Sequence, residues 1–294
     1  MTAFVLKIIA MITMFIDHLA SYLFLKNSTL ISVDTFYLMR SIGRMSLPIF
    51  AYFIVVGYSK TSNLKNYIGR IHLFAILSQI PFILATDVRN YYENTLFKQK
   101  AFLYNINVLV FIIVIIASYY IFTCNKKWDK SLIFVTLAYL ITPMFLSQNG
   151  IVLLSAGHLN IFYEFGISLI LISLMEQIPF LKSHSIPLLI LNLIFIISNY
   201  YYIGSLADYE YFSILLILLL RILKNDKYAQ ILTIIIWGAI MYHASILNVL
   251  FVILAAVLIY YYNGERGKSV KYLFYTFYPL HLLLFGLMAI MGRG

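Results

Sequence analysis

Apolar runs long enough to cross a bilayer recur from one end of this chain to the other, and they limit its possible folds more than any other feature. A spanning α-helix needs about 20 predominantly apolar residues. Runs such as "VLVFIIVIIASYYIF", residues 108–122, do not alternate between apolar and polar positions. That excludes a membrane barrel, whose strands read as alternating segments of ~10 residues. The chain is 63% hydrophobic and 11% charged, against roughly 45–50% and about 25% in soluble domains. The expected class is all-α: a polytopic transmembrane helical bundle, with residues 1–294 forming one integral membrane domain.

Candidate spans fall near 3–25, 36–58, 69–86, 102–123, 131–147, 160–177, 185–200, 209–224, 228–243, 246–262 and 271–291. Ten or eleven crossings are expected, with 131–177 and 228–262 the hardest stretches to divide. Loop charges alternate. Lys60 and Lys65, then Lys126, Lys127 and Lys130, Lys182, Arg221, Lys224 and Lys227, and Arg266, Lys268 and Lys271 occupy every second connection. The intervening loops are poorer in base, except the mixed stretch 87–100. Eleven spans with a cytoplasmic N-terminus, in a cell membrane, fit this pattern.

The net charge of +10 is accounted for by these topogenic loops, so nucleic acid is not an expected partner. The single cysteine, Cys124, allows no intramolecular disulfide and no cysteine metal cluster. The first apolar run contains Asp17 and lacks a small-residue cleavage site, so it reads as a retained span. With no large soluble segment left over, any chemistry takes place within or at the edge of the bilayer.

Ionisable groups inside spans are costly and need partners. Lys7 and His18 are eleven residues apart in the first run. At 100° per residue they return to one helix face, separated by a rise of ~16 Å. Asp17 is rotated by about 100° from His18 and faces another neighbour. In the second run Arg40 and Arg44 share a face, and Arg44 is deep enough to need a buried anion: Asp17, a ligand, or both. Pro48 is placed to kink that helix. Arg70 reads as a cytoplasmic anchor or an anion-binding group, and His72 as interfacial. Gln79 with Pro81, and Asn105 with Asn107, either line a cavity or bond between helices. Glu164 reads as a surface residue, and His158 and His243 as loop or interfacial. His281, ten residues into the last run behind Pro279, reaches the midplane as His18 does. Two midplane histidines invite a shared cavity, but a third ligand is lacking, so no metal is expected.

The stretches "LKIIAMITMFIDH", "LMRSIGRMSLPIFAYFIVVGYSKTSNLKNYIGR", "SQIPF" and "FYPLHLL" resemble the TraX family, named for a pilin N-acetylase of bacterial conjugation systems. TraX-like proteins are in turn similar to the type 3 membrane acyltransferases, which carry an arginine, ten residues and a histidine in their first span. Lys7 and His18 stand at that spacing here, with lysine in place of arginine. The resemblance implies an acyltransferase-like domain that moves an acetyl group from cytoplasmic acetyl-CoA, its cosubstrate, to an extracytoplasmic acceptor. The acceptor would be a pilin-like N-terminus, an envelope sugar or a lipid head group. It also implies that His18, Asp17 and Arg44 serve catalysis, and that Lys7, Arg40 and Arg70 hold the donor's phosphates. Two other classes remain open on the sequence: a transporter or flippase for a small anion or lipid, and a non-catalytic assembly protein.

Overall fold

A computed structural model describes residues 1–26, 30–86, 160–177, 209–269 and 271–291. Every regular element among them is an α-helix: α1 (Ala3–Lys26), α2 (Val33–Gly43), α3 (Ser46–Lys60), α4 (Leu64–Thr86), α5 (Ile161–Gln177), α6 (Glu210–Ile222), α7 (Lys227–Met241), α8 (Ile246–Tyr260) and α9 (Lys271–Met291). The expected spans at 102–123, 131–147 and 185–200, with Asn105, Asn107, Cys124 and His158, lie outside the described residues. Among the described residues three stretches are long and apolar enough to cross a membrane: Ala3–Phe24, Val33–Lys60 and Tyr272–Ala289.

The chain divides into two compact units. The first comprises Met1–Lys60, Leu84–Thr86 and Leu215–Gly294; the second comprises Thr61–Ile83 and Asp87–Ile214.

In the first unit α1 packs against α2, α3 and α9, while α8 packs against α7, α3 and α2. The α1–α9 pair runs parallel: Phe4 meets Phe274 near one end, and Tyr22 stacks on Phe285 near the other. The outward faces are apolar. On α7, Tyr228, Leu232, Ile236 and Ile240 recur every fourth residue and are all exposed, while Gln230, Ile234, Trp237 and Gly238 are buried. Such an inside-out stripe is stable only against lipid or another apolar surface.

The start of α1 is held by the loop before α9. The first N–H groups of a helix lack intrahelical acceptors. Here the Ala3 N–H donates to the Glu265 carbonyl (2.9 Å) and the Phe4 N–H to the Arg266 carbonyl (3.1 Å). The Asn263 N–H donates to the Met1 carbonyl at 3.0 Å. Gly267 makes this approach possible. Its φ is +69°, and a Cβ there would lie 2.6 Å from Thr2 Oγ1. Basic residues gather at the same end: Lys60 Nζ donates to the Gly264 carbonyl and Lys227 Nζ to the Tyr262 carbonyl.

The single span expected at 36–58 is two helices broken at Arg44 and Met45. Pro48 is the cause. It has no N–H for the carbonyl four residues back, that of Arg44, and its ring crowds that carbonyl. The break makes Arg44 the C-cap of α2.

In the second unit α4 and α5 are joined through side chains. Asn160 Nδ2 donates to Gln79 Oε1 and to the Ala75 carbonyl, both at 2.7 Å, so Gln79 serves as an inter-helix bond. His72 is 4% exposed and donates from Nδ1 to the Ile68 carbonyl (2.8 Å), which corrects its interfacial reading. Glu164 is fully buried, not superficial: it accepts bonds from the Tyr209 N–H and the Ser213 hydroxyl. The two groups are satisfied differently: Glu164 by the neighbouring Tyr209–Ser213 segment, and His72 Nδ1 by the carbonyl one turn back in its own helix.

Candidate functional site

Asp17 projects from α1 at 5% exposure. Arg44 Nη2 donates to both its oxygens, at 2.9 Å and 3.2 Å. Arg40 Nη1 lies 3.0 Å from Oδ1 and also donates to Ser21 Oγ at 2.8 Å. One carboxylate thus joins two guanidinium groups, and the helices carrying them touch. A Cβ on Gly43 would come 2.3 Å from the Asp17 Cβ. Gly43→Ala is therefore expected to push α2 off α1 and cost about 3 kcal/mol, the upper end for overpacking; thermal unfolding in nanodiscs measures it.

This triad changes the reading of Arg40 and agrees with the reading of Asp17 as the anion for Arg44. Arg40 is tied to Ser21, about 21 Å further along α1 than Lys7 by helical rise, so it does not share the Lys7 environment. Asp17 gives its oxygens to the two arginines, facing away from His18 as the helical rotation between them predicts.

His18 pairs instead with His281 of α9. His18 Nδ1 and His281 Nε2 are 2.7 Å apart. The rings are within 10° of coplanar with centroids 5.0 Å apart, the separation that this contact plus two ring radii produces when rings meet edge to edge. His281 Nδ1 is 2.6 Å from the Phe277 carbonyl. Phe15, Phe277, Tyr278 and Phe285 surround the His281 ring. The two histidines that the sequence placed at the same depth are in contact, on neighbouring parallel helices.

At the other end of the same α1 face, Lys7 Nζ lies over the rings of Phe53 (5.1 Å) and Phe274 (5.2 Å). It lines a cavity of about 100 Å³ with Ala3, Phe4, Arg266, Lys268, Phe274 and Tyr275. Three cations and no carboxylate border this space. Arg266 and Lys268 read as topogenic loop charges in the sequence; the clamp of their loop on the α1 start brings them to Lys7. Arg70 belongs to the second unit, on α4, where its Nε is buried without a hydrogen-bond partner among the described residues. Among the described residues no three His, Cys, Asp or Glu side chains are grouped to hold a metal.

The family model described as TraX protein matches residues 3–154, just over half of the 294-residue chain. A probable fimbrial assembly protein FimC, serogroup H1, of Dichelobacter nodosus is 22% identical over 290 residues, covering 96% of this chain and 93% of the relative. No solved structure matches.

Proposed function

The chain belongs to the TraX family, and from that premise we propose that it is a multi-pass membrane acetyltransferase. It takes an acetyl group from acetyl-CoA at the cytoplasmic face and passes it to an amine or hydroxyl reached from the other side. The observation that carries this reading is the arrangement along one face of α1: a cationic pocket around Lys7 and a half-buried histidine pair around His18. The pocket has the charge and the aromatic walls to bind a phosphorylated nucleotide. A pantetheine arm is on the order of 15 Å long, matching the ~16 Å rise from Lys7 to His18. The gathering of Lys60, Lys227, Arg266 and Lys268 at the α1 start supports a cytoplasmic N-terminus.

The chemistry balances with one base. The acceptor nitrogen or oxygen attacks the thioester carbonyl carbon while His18 takes its proton. The C–S bond then breaks, and the thiolate recovers that proton from His18 to leave as the free thiol. Arg44 and Arg40 hold Asp17 and thereby the α1–α2 wall beside this step.

The test is acetyl-CoA binding and CoA release by the purified protein in nanodiscs. Lys7→Ala, Arg266→Ala and Lys268→Ala are each expected to weaken donor binding roughly tenfold, the scale of one charge-assisted hydrogen bond. Turnover at saturating donor should change little. Wild-type protein that is folded yet binds no acetyl-CoA would remove the reading. The similarity to a probable fimbrial assembly protein supports a second reading, non-catalytic assembly, in which the buried charges only join helices. That outcome would favour it, with transport of a small anion or lipid as the remaining class.

A further inference from the structure

We propose that His281 is a positioning residue: it fixes His18 as the Nδ1–H tautomer and so makes His18 Nε2 the atom that accepts the acceptor's proton. The inference rests on the acetyltransferase reading for its chemistry, and on hydrogen-bond direction for its geometry.

The direction follows from one fixed point. The Phe277 carbonyl can only accept, so His281 Nδ1, 2.6 Å away, carries a hydrogen. With both rings neutral, His281 Nε2 is then a bare lone pair. The nitrogen facing it, His18 Nδ1, must donate across the 2.7 Å contact. That places the His18 proton on Nδ1 and leaves Nε2 as its lone-pair nitrogen. Nε2 makes no hydrogen bond among the described residues. The near-coplanar, edge-to-edge rings align the N–H with the lone pair it meets.

Local structure sets half of this chain and tertiary structure the other half. The His281–Phe277 bond spans one helical turn within α9, and His72 makes the same bond to Ile68 in α4. It is a local habit of a helical histidine whose other nitrogen faces away. Among the described histidines, His18 differs in giving Nδ1 to another side chain. Phe15, Phe277 and Phe285 hold the His281 ring in place. The charged groups near His18, Asp17 of α1 with Arg40 and Arg44 of α2 and its C-cap, are bonded to one another. A base whose far nitrogen is bonded to a fixed orienting group is the arrangement that nucleophile-activating sites require. Here the orienting group is a neutral histidine backed by a carbonyl.

The test uses full-length protein, labelled with ¹⁵N-histidine, in nanodiscs. The His18 signals are assigned by their loss in His18→Gln. Wild-type His18 is expected to show a protonated Nδ1 and a bare Nε2. In His281→Phe, which keeps a ring against the surrounding phenylalanines but removes the acceptor, that pattern should disappear. In His281→Gln, whose amide oxygen can accept from His18 Nδ1, it should return. CoA release should fall by roughly 100-fold in His281→Phe, the lower range for general-base catalysis. Acetyl-CoA affinity should stay within about twofold, and His281→Gln should recover at least tenfold of the rate. A wild-type His18 protonated on Nε2, or an unchanged tautomer in His281→Phe, overturns the proposal. A wild type without turnover whose His18 still shows the Nδ1–H pattern and loses it in His281→Phe supports the pairing and defeats the acetyltransferase reading instead.

Discussion

Asp17→Ala is expected to destabilise the protein by about 3–5 kcal/mol, the cost of leaving a buried charge without its partner. The substitution removes one carboxylate and strands two guanidinium groups. Arg44 loses both bonds from Nη2, and its side chain is only 12% exposed. Arg40, at 35%, has more access to solvent and keeps its bond to Ser21. The coupling of Asp17 to Arg44 in a double-mutant cycle should therefore exceed its coupling to Arg40. Thermal unfolding in nanodiscs reads both. An Asp17→Ala protein as stable as wild type would show that the triad does not hold α2 on α1, and any loss of turnover would then place Asp17 in the chemistry.

The second large effect is on rate. His18→Ala should lower acetyl-CoA-dependent turnover by about 10²–10⁴-fold, the range for removal of a general base. Donor affinity should hardly move, because the cations that line the proposed donor pocket are Lys7, Arg266 and Lys268. Stability should fall less than in Asp17→Ala, since a neutral hydrogen bond is lost and no buried charge is stranded. Full turnover in a folded His18→Ala protein would eliminate the mechanism. A parallel fall in affinity and rate would place His18 in binding.

Many helix ends were legible in the sequence, although α4 begins at Leu64, before the expected 69. The stretches read as spans at 160–177, 228–243, 246–262 and 271–291 correspond to α5, α7, α8 and α9 within two residues at each end. A helix in a bilayer advertises itself by apolar length, and Asp226 and Ser245 supply N-caps that the structure uses. The break in the second span was half legible. Pro48 marked a kink, but the disruption falls one turn earlier because proline acts on the carbonyl four residues back.

The site was legible as residues but not as partnerships. Lys7, Asp17, His18, Arg44 and His281 stood out because charge and imidazole are costly in an apolar run. Arg40 was assigned to the donor's phosphates through the family resemblance, and packing places it on Asp17. Arg266 and Lys268 passed as topogenic charges. Only the neighbouring Gly267 hinted that their loop approaches something closely.

The sequence by itself determined that this chain is helical and apolar enough for a membrane, and which polar groups must find partners inside it. Those are local properties, set by the run length, helical periodicity and transfer cost of each residue. Tertiary structure alone decided that His18 meets His281, that one carboxylate serves two arginines, and that a loop more than 250 residues away completes the Lys7 pocket. Those pairings depend on which helices are neighbours and at what rotation. Helix–helix geometry is fixed by side-chain packing between segments, which no single segment encodes.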